Sequence, residues 1–227
     1  MKKTLIASLI AAGLASAFGA QAADENVSPW LIRLRAINID PDSSSTAGGA
    51  ALLPENAISV QNRWAPEIDV SYFFTKNIAL ELIATYPQSQ PVSLNVPGLY
   101  NGGIGNVKHL PPTLLVQYHF NWEGNPFKPY VGAGINFTWF TESNLNVPFV
   151  TGIPGGLPLN VTSTSWGPAL QIGADYKLTK NWYLNADFKY IWIDTRVTSS
   201  IPPGPPLVNS KLDINPMVYG VGVGYRF

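Results

Sequence analysis

Two unlike faces alternate along much of this chain. In the final stretch, Leu212 to Phe227, Met217, Tyr219, Val221, Val223, Tyr225 and Phe227 fall on one face. Val218, Gly220, Gly222, Gly224 and Arg226 fall on the other. Successive side chains of a strand point to opposite faces, so this stretch predicts a strand lying between two different environments. A soluble sandwich strand turns its large apolar residues to a core and its polar ones to water. Here the second face is small or basic, and aromatic residues flank the apolar one. That is how a transmembrane barrel strand meets lipid.

Seven earlier segments repeat the alternation. Residues 30–39 set Trp30, Ile32, Leu34 and Ala36 against Arg33 and Arg35. Residues 60–74 set Trp64, Ile68, Val70 and Tyr72 against Glu67, Asp69 and Ser71. Residues 78–86 set Leu80 and Leu82 against Glu81 and Thr85, and residues 112–122 set Leu114, Val116 and Tyr118 against Thr113, Gln117 and His119. Residues 130–140 set Val131, Ala133 and Ile135 against Gly132, Gly134, Asn136 and Thr138. Residues 166–178 set Leu170, Ile172 and Tyr176 against Gln171, Asp175 and Lys177. Residues 182–193 set Leu184, Phe188 and Tyr190 against Asn185, Asp187 and Lys189. The pattern predicts an all-β chain, an eight-stranded antiparallel up-and-down β-barrel. A soluble barrel would show the same period. Trp30, Trp64, Trp122, Trp139, Trp166 and Trp182 near strand ends read instead as interfacial girdles, and so as a transmembrane barrel.

The connections divide by length. Residues 75–77, 123–126 and 179–181 are short and polar; the segments at about 40–59, 87–110, 141–165 and 195–211 are long. Short turns at one end and long loops at the other are the outer-membrane pattern, with the turns and both termini expected in the periplasm. The loops are rich in Pro and Gly yet carry apolar runs such as Ala50-Ala51-Leu52-Leu53 and Val147-Pro148-Phe149-Val150. They either pack on one another or line an entrance for an apolar ligand.

Composition narrows the class further. Hydrophobic residues make up 46% of the chain and charged residues only 12%. The latter is about half the usual share, and suits a chain that faces lipid. Cysteine is absent, so no disulfide holds an exported fold together. A net charge of zero gives no reason to expect nucleic-acid binding. Lys2 and Lys3, the apolar run Thr4 to Leu14, and Ala20-Gln21-Ala22 form the basic, hydrophobic and cleavage regions of a signal peptide over residues 1–22. The mature barrel is then expected to run from Ala23 to Phe227 as one domain. Its closing strand, ending on Phe227, is the expected contact for barrel-assembly machinery.

Several stretches carry a resemblance: NIALELIATYP (77–87), VKHLPPTLLVQYHF (107–120), KPYVGAGINFTWF (128–140), SWGPALQIGADYKLTKNWYLNADFKYIWIDT (165–195) and the terminal VGVGYRF. Together they resemble the OmpW family of outer-membrane proteins over nearly the whole mature chain. The resemblance implies an eight-stranded barrel with a hydrophobic lumen. It also implies a role in moving small apolar molecules across the outer membrane, with lateral release through the wall.

Strand parity and direction place the inward residues by height. Arg33, Arg35, Lys177, Lys189 and Arg226 lie in the lower half, with Glu67, Asp69, Glu81, Asp175 and Asp187 at low or middle heights. A buried charge must be paired or strongly solvated, so this balanced set reads as a salt-bridged plug, the other reading being a watery ion channel. Ile37, Ile39, Ile83, Leu115, Ile191, Ile193, Leu212, Ile214 and Val218 share the inward parity in the outer half. They read either as a packed core or as an apolar pocket open to the outside and closed below. A ligand there would need a side exit, and Pro66, Pro111, Pro112, Pro168 and Pro216 each lack a ladder donor that would strengthen the wall. The alternative is a structural or surface-binding barrel whose lumen stays shut.

Catalytic chemistry finds little support. His109 and His119 are the only histidines, and a base–nucleophile pair would need His119 beside a residue such as Ser71. No His, Asp and Cys spacing suggests a metal site, and no cofactor is expected. Gly132-Ala133-Gly134 and Gly222-Val223-Gly224 recur on the strand period rather than at a strand-to-helix turn, so they make room for long Arg and Lys side chains. Asn136-Phe137-Thr138 and Asn160-Val161-Thr162 match the glycosylation pattern without a reason to be used.

Overall fold

The structure is a computed structural model that describes residues 28–48, 53–148, 156–199 and 207–227. The expected signal peptide lies outside the described residues. Among these residues no helix is long and apolar enough to cross a membrane. Fifteen strands follow one another: β1 (Trp30–Pro41), β2 (Ser44–Ser45), β3 (Ile58–Val60), β4 (Arg63–Phe73), β5 (Ile78–Thr85), β6 (Gln88–Val96), β7 (Tyr100–Leu110), β8 (Thr113–His119), β9 (Phe127–Val147), β10 (Leu157–Val161), β11 (Thr164–Lys177), β12 (Trp182–Ile191), β13 (Asp194–Ser199), β14 (Val208–Asp213) and β15 (Pro216–Arg226).

Eight of them close a barrel. The order β11-β12-β15-β1-β4-β5-β8-β9 returns to β11 through the β9–β11 pairing, and every pair is antiparallel. Closure leaves no open edge, the one way a sheet can sit in lipid with all its backbone groups paired. The alternation seen in the sequence sorts the two faces as expected. Leu34, Ile68, Leu82, Ile135, Leu170, Ile172 and Val221 are exposed on the outside. Exposed aromatics mark both rims: Trp30, Trp122, Trp182 and Phe227 at the short-turn end, and Trp64, Tyr86, Trp139, Trp166 and Trp192 at the long-loop end. Edge-on ring pairs such as Tyr190–Trp192 (4.6 Å) and Trp182–Tyr225 (5.1 Å) stiffen these belts.

The segments read as loops carry strands of their own. β6 and β7 form a hairpin that pairs with β3 on one side and with the upper part of β9 on the other. β10 continues from β9 to β13, then β14 and β2. Side chains finish the ring between β2 and β3, where the Ile58 amide donates to Ser45 Oγ (3.1 Å) and the Val60 amide to Ser43 Oγ (3.2 Å). A second tier of strands therefore stands on the barrel. Each barrel strand but one meets its upper continuation across a two-residue interruption, and β9 alone runs through unbroken. A two-residue gap preserves the inward parity, as from Ile191 through Ile193 to Thr195 and from Leu212 through Ile214 to Val218. Parity slips by one at the β3–β4 and β5–β6 junctions, where Val60 and Ala65, and Thr85 and Gln88, are the successive buried residues, and within β9, where a bulge opposite Lys108 and His109 lies between buried Phe140 and Leu145.

Candidate functional site

An eight-stranded barrel encloses little more than its own side chains, so the site is the way those side chains fill the lumen. Three layers are stacked along it. At the turn end Leu31, Phe73, Ala79 and Tyr183 form a small apolar seal. His119 stacks on Tyr130 and lies against Phe73, each with ring centroids 4.8 Å apart.

The middle layer is ionic. Arg33 on β1 bridges to Asp69 (3.0 Å), Glu81 (3.3 Å) and Asp175 (2.7 Å). Arg35 reaches Asp69 (2.5 Å), Glu67 (2.9 Å), Glu81 (3.0 Å) and Asp187 (2.8 Å). Lys189 holds Glu67 (2.9 Å) and Asp187 (2.6 Å). All eight side chains are buried. They share a face because residues two apart on one strand do: Arg33 with Arg35, Glu67 with Asp69, Asp187 with Lys189. Glycines on β15 leave them room, since a Cβ on Gly222 would meet Arg35 Cγ at 2.8 Å and one on Gly224 would meet Arg33 Cγ at 3.2 Å.

Two residues expected in this plug lie elsewhere. Lys177 has the inward parity but ends β11 at the turn end, and it is exposed. Arg226 also sits below the layer: its Nε donates to the Ser28 carbonyl (2.9 Å) and its guanidinium lies 4.3 Å from the Phe73 ring centroid. The plug is thus three cations among five carboxylates rather than a balanced ten. Neutral donors help the surplus anions. Asn185 Nδ2 donates to Asp175 (2.8 Å), and Gln171 Nε2 donates to Asp187 (3.0 Å). Gln117 Nε2 donates in turn to Gln171 (2.8 Å), and His119 Nε2 lies 3.0 Å from Gln117 Oε1. These bonds extend the ionic set into a continuous hydrogen-bonded belt from Asp187 to His119. Parity already put Gln117, Asn185 and Gln171 inside; their polarity was the signal that they extend the ionic set. Ser71 and His119 do not meet, because Ser71 Oγ accepts from Arg33 Nη1 (2.8 Å) while His119 faces Gln117.

The upper layer is apolar. Ile37, Ile39, Ile83, Leu115, Ile191, Ile193, Leu212, Ile214 and Val218 are all buried in one cluster. The second tier adds Val60 to it, and also Val92, Leu94, Val107, Leu145 and Val197, residues hidden from the sequence reading because they fell in presumed loops. Among the described residues the cluster is closely packed. It leaves one void of about 30 Å³ above Glu67 and Lys189 and another of about 20 Å³ higher up. His109 lines both and so stands between them.

The wall beside the lower void is incomplete. The β5–β8 ladder ends at Ile83↔Thr113, and the β6–β7 ladder above it starts at Gln88↔His109. Residues 84–87 and 110–112 face each other across that gap without ladder pairs. Pro87, Pro111 and Pro112 have no amide proton to offer there.

A family model described as the OmpW family matches residues 28–227. The chain belongs to that family. Outer membrane protein W of Vibrio cholerae serotype O1 is 34% identical to it over 230 residues, covering 100% of both chains. The crystal structure of the outer membrane protein OprG from Pseudomonas aeruginosa superposes with a TM-score of 0.72 at 28% identity, covering 91% of this chain and 99% of that one. A Pseudomonas aeruginosa relative named dibenzothiophene metabolism operon protein PahQ is 23% identical over 203 residues, covering 88% of this chain and 89% of its own. For an OmpW-family barrel, the interrupted wall, the lipid-facing belt and the stacked lumen are the features that bear on function.

Proposed function

We propose that this barrel gives small hydrophobic molecules a passive path from outside into the outer membrane, entering the apolar upper lumen and leaving sideways through the wall. The observation that carries the reading is the order of the layers. An apolar cluster lies above a buried ionic layer and an apolar seal, so a greasy ligand is favoured above and stopped below. The wall gap at 84–87 and 110–112 lies beside the lower void and supplies the side exit. The relative named for an operon of dibenzothiophene metabolism supports apolar cargo. Because the voids are no larger than about one or two waters, passage needs side chains and wall to part transiently.

The small voids also favour a second reading, a structural barrel with a packed lumen. One experiment separates them. Ile214→Asp and Leu115→Asp each place a carboxylate in the apolar cluster and leave the lipid face untouched. A buried apolar ligand gains about 25 cal/mol per Å² removed from water, and each tenfold loss of affinity is about 1.4 kcal/mol. Both variants should fold in normal amounts and take up an apolar fluorophore at a reduced rate, while a small polar solute is unaffected. His119→Ala, outside the cluster, should leave apolar uptake nearly intact. Unaltered apolar uptake in both Asp variants hands the case to the packed-lumen reading.

A further inference from the structure

We propose that the Asn136 carboxamide is a latch that fixes the Pro111–Pro112 edge of the wall gap to β9, and that its release sets how readily an apolar molecule leaves the lumen sideways. This rests on the lateral-release reading above and adds the side chain that regulates it. Asn136 lies on β9, the strand that runs unbroken through both tiers, and it is fully buried. Its Nδ2 lies 3.3 Å from the Pro111 carbonyl, 3.2 Å from the Pro112 carbonyl and 2.9 Å from Thr113 Oγ1. Its Oδ1 accepts from Thr138 Oγ1 (2.7 Å), which turns the amide donors toward the prolines.

The two carbonyls are otherwise held only from the same side. Pro112 O accepts from the Phe137 amide (3.0 Å), and Pro111 O accepts from Thr113 Oγ1 (3.2 Å). The opposite edge of the gap is poorly satisfied. Thr85 Oγ1 and Gln88 Oε1 are buried there with no hydrogen-bond partner. A gap with one clasped edge and one unsatisfied edge parts without breaking a ladder pair, and how far it parts depends on the clasp. The chemistry is local: two N–H donors shared among three oxygens on a segment whose prolines cannot donate.

The test uses the full barrel and two variants. Asn136→Leu keeps the side-chain size and removes both donors. Thr138→Val leaves Asn136 in place but removes the hydroxyl that orients it. Folding is read from the heat-dependent gel shift, gap opening from amide exchange at Thr113, Ala84, Thr85, Tyr86 and Gln88, and exit from the rate at which cells bearing the barrel take up N-phenyl-1-naphthylamine. Exchange at those amides should rise at least tenfold in Asn136→Leu, with apolar uptake at least threefold faster and uptake of a small polar solute unchanged. Thr138→Val should move both readouts the same way by less. Exchange at the gap unchanged in folded variants overturns the latch. Faster exchange with unchanged uptake, in cells whose unaltered barrel does admit the probe, reduces Asn136 to a structural role and also overturns it. If the unaltered barrel admits no more probe than barrel-free cells, the lateral-release reading fails first, and the exchange data then record only a structural clasp. Should Asn136→Leu not fold, Thr138→Val decides on the same readouts.

Discussion

Arg33 on β1 grips Asp175 on β11 with two nitrogens, Nε to Oδ1 at 3.1 Å and Nη2 to Oδ2 at 2.7 Å, although β15 and β12 stand between those strands in the wall. The bridge crosses the lumen, and Nη1 of the same guanidinium holds Asp69 on β4 and Glu81 on β5. A planar fork with five donors can tie several strands at once, which an ammonium cannot do. The ionic layer is therefore a cross-brace as well as a barrier.

Removing that brace should be costly. Arg33→Met strands buried carboxylates, and breaking one partner of a buried ion pair costs about 3–5 kcal/mol. The urea midpoint of the folded barrel in lipid vesicles should fall accordingly. Lys177→Met, at an exposed position outside the layer, should move it by no more than about 0.5 kcal/mol. Equal losses in both variants would restore Lys177 to the plug.

His109 predicts a pH dependence. It lies on β7 in the second tier, beyond the lipid-facing barrel, and burial pushes its imidazolium down to about 4. An unfolded chain protonates such a ring near pH 6.5, so between those values the unfolded state binds more protons and stability falls as pH drops. His109→Gln should lose this share of the slope between about pH 6.5 and 4, measured as the difference in denaturation midpoint from the unaltered barrel. The same slope in both proteins would mean that the ring is protonated in the fold.

Phe227 closes the aromatic belt at the turn end, 5.1 Å from Tyr225 between ring centroids. Phe227→Asp, or its deletion, is expected to block assembly into the membrane, because a charge replaces a ring at the interface and the closing strand loses its anchor. Folded barrel in cell envelopes, quantified by heat-dependent gel mobility, should drop several-fold. Normal yields would separate Phe227 from assembly.

Much of this was legible from period two alone. The faces of all eight barrel strands follow from it, and so do the nine apolar lumen residues and eight members of the ionic layer. What parity lacks is height. Lys177 and Arg226 have inward parity, yet their strands end at the rim, where one meets solvent and the other an aromatic face. The second tier escaped notice for another reason. Gln88–Val96, QSQPVSLNV, pairs Gln88 and Gln90 with the buried face and interrupts itself with a proline, so its alternation does not separate polar from apolar. Asn136 was visible as an inward residue by parity and as part of a glycosylation pattern; the Pro111 and Pro112 carbonyls that give it meaning are brought to it by β8–β9 pairing.

The unbroken course of β9 has a thermodynamic consequence. Ladder pairs propagate order because each fixes the register of the next, and only β9 carries such continuity from the barrel into the tier above. Elsewhere the strands are interrupted, and the tiers adhere through apolar packing, which is cohesive but not directional, and through isolated backbone bonds such as that from the Ile214 amide to the Ile193 carbonyl (2.8 Å). Barrel and crown are thus two cooperative units sharing a single member, and the water-facing crown is the less protected of them. It can melt while every transmembrane pair survives, uncovering the lumen from above at far less cost than unfolding the protein.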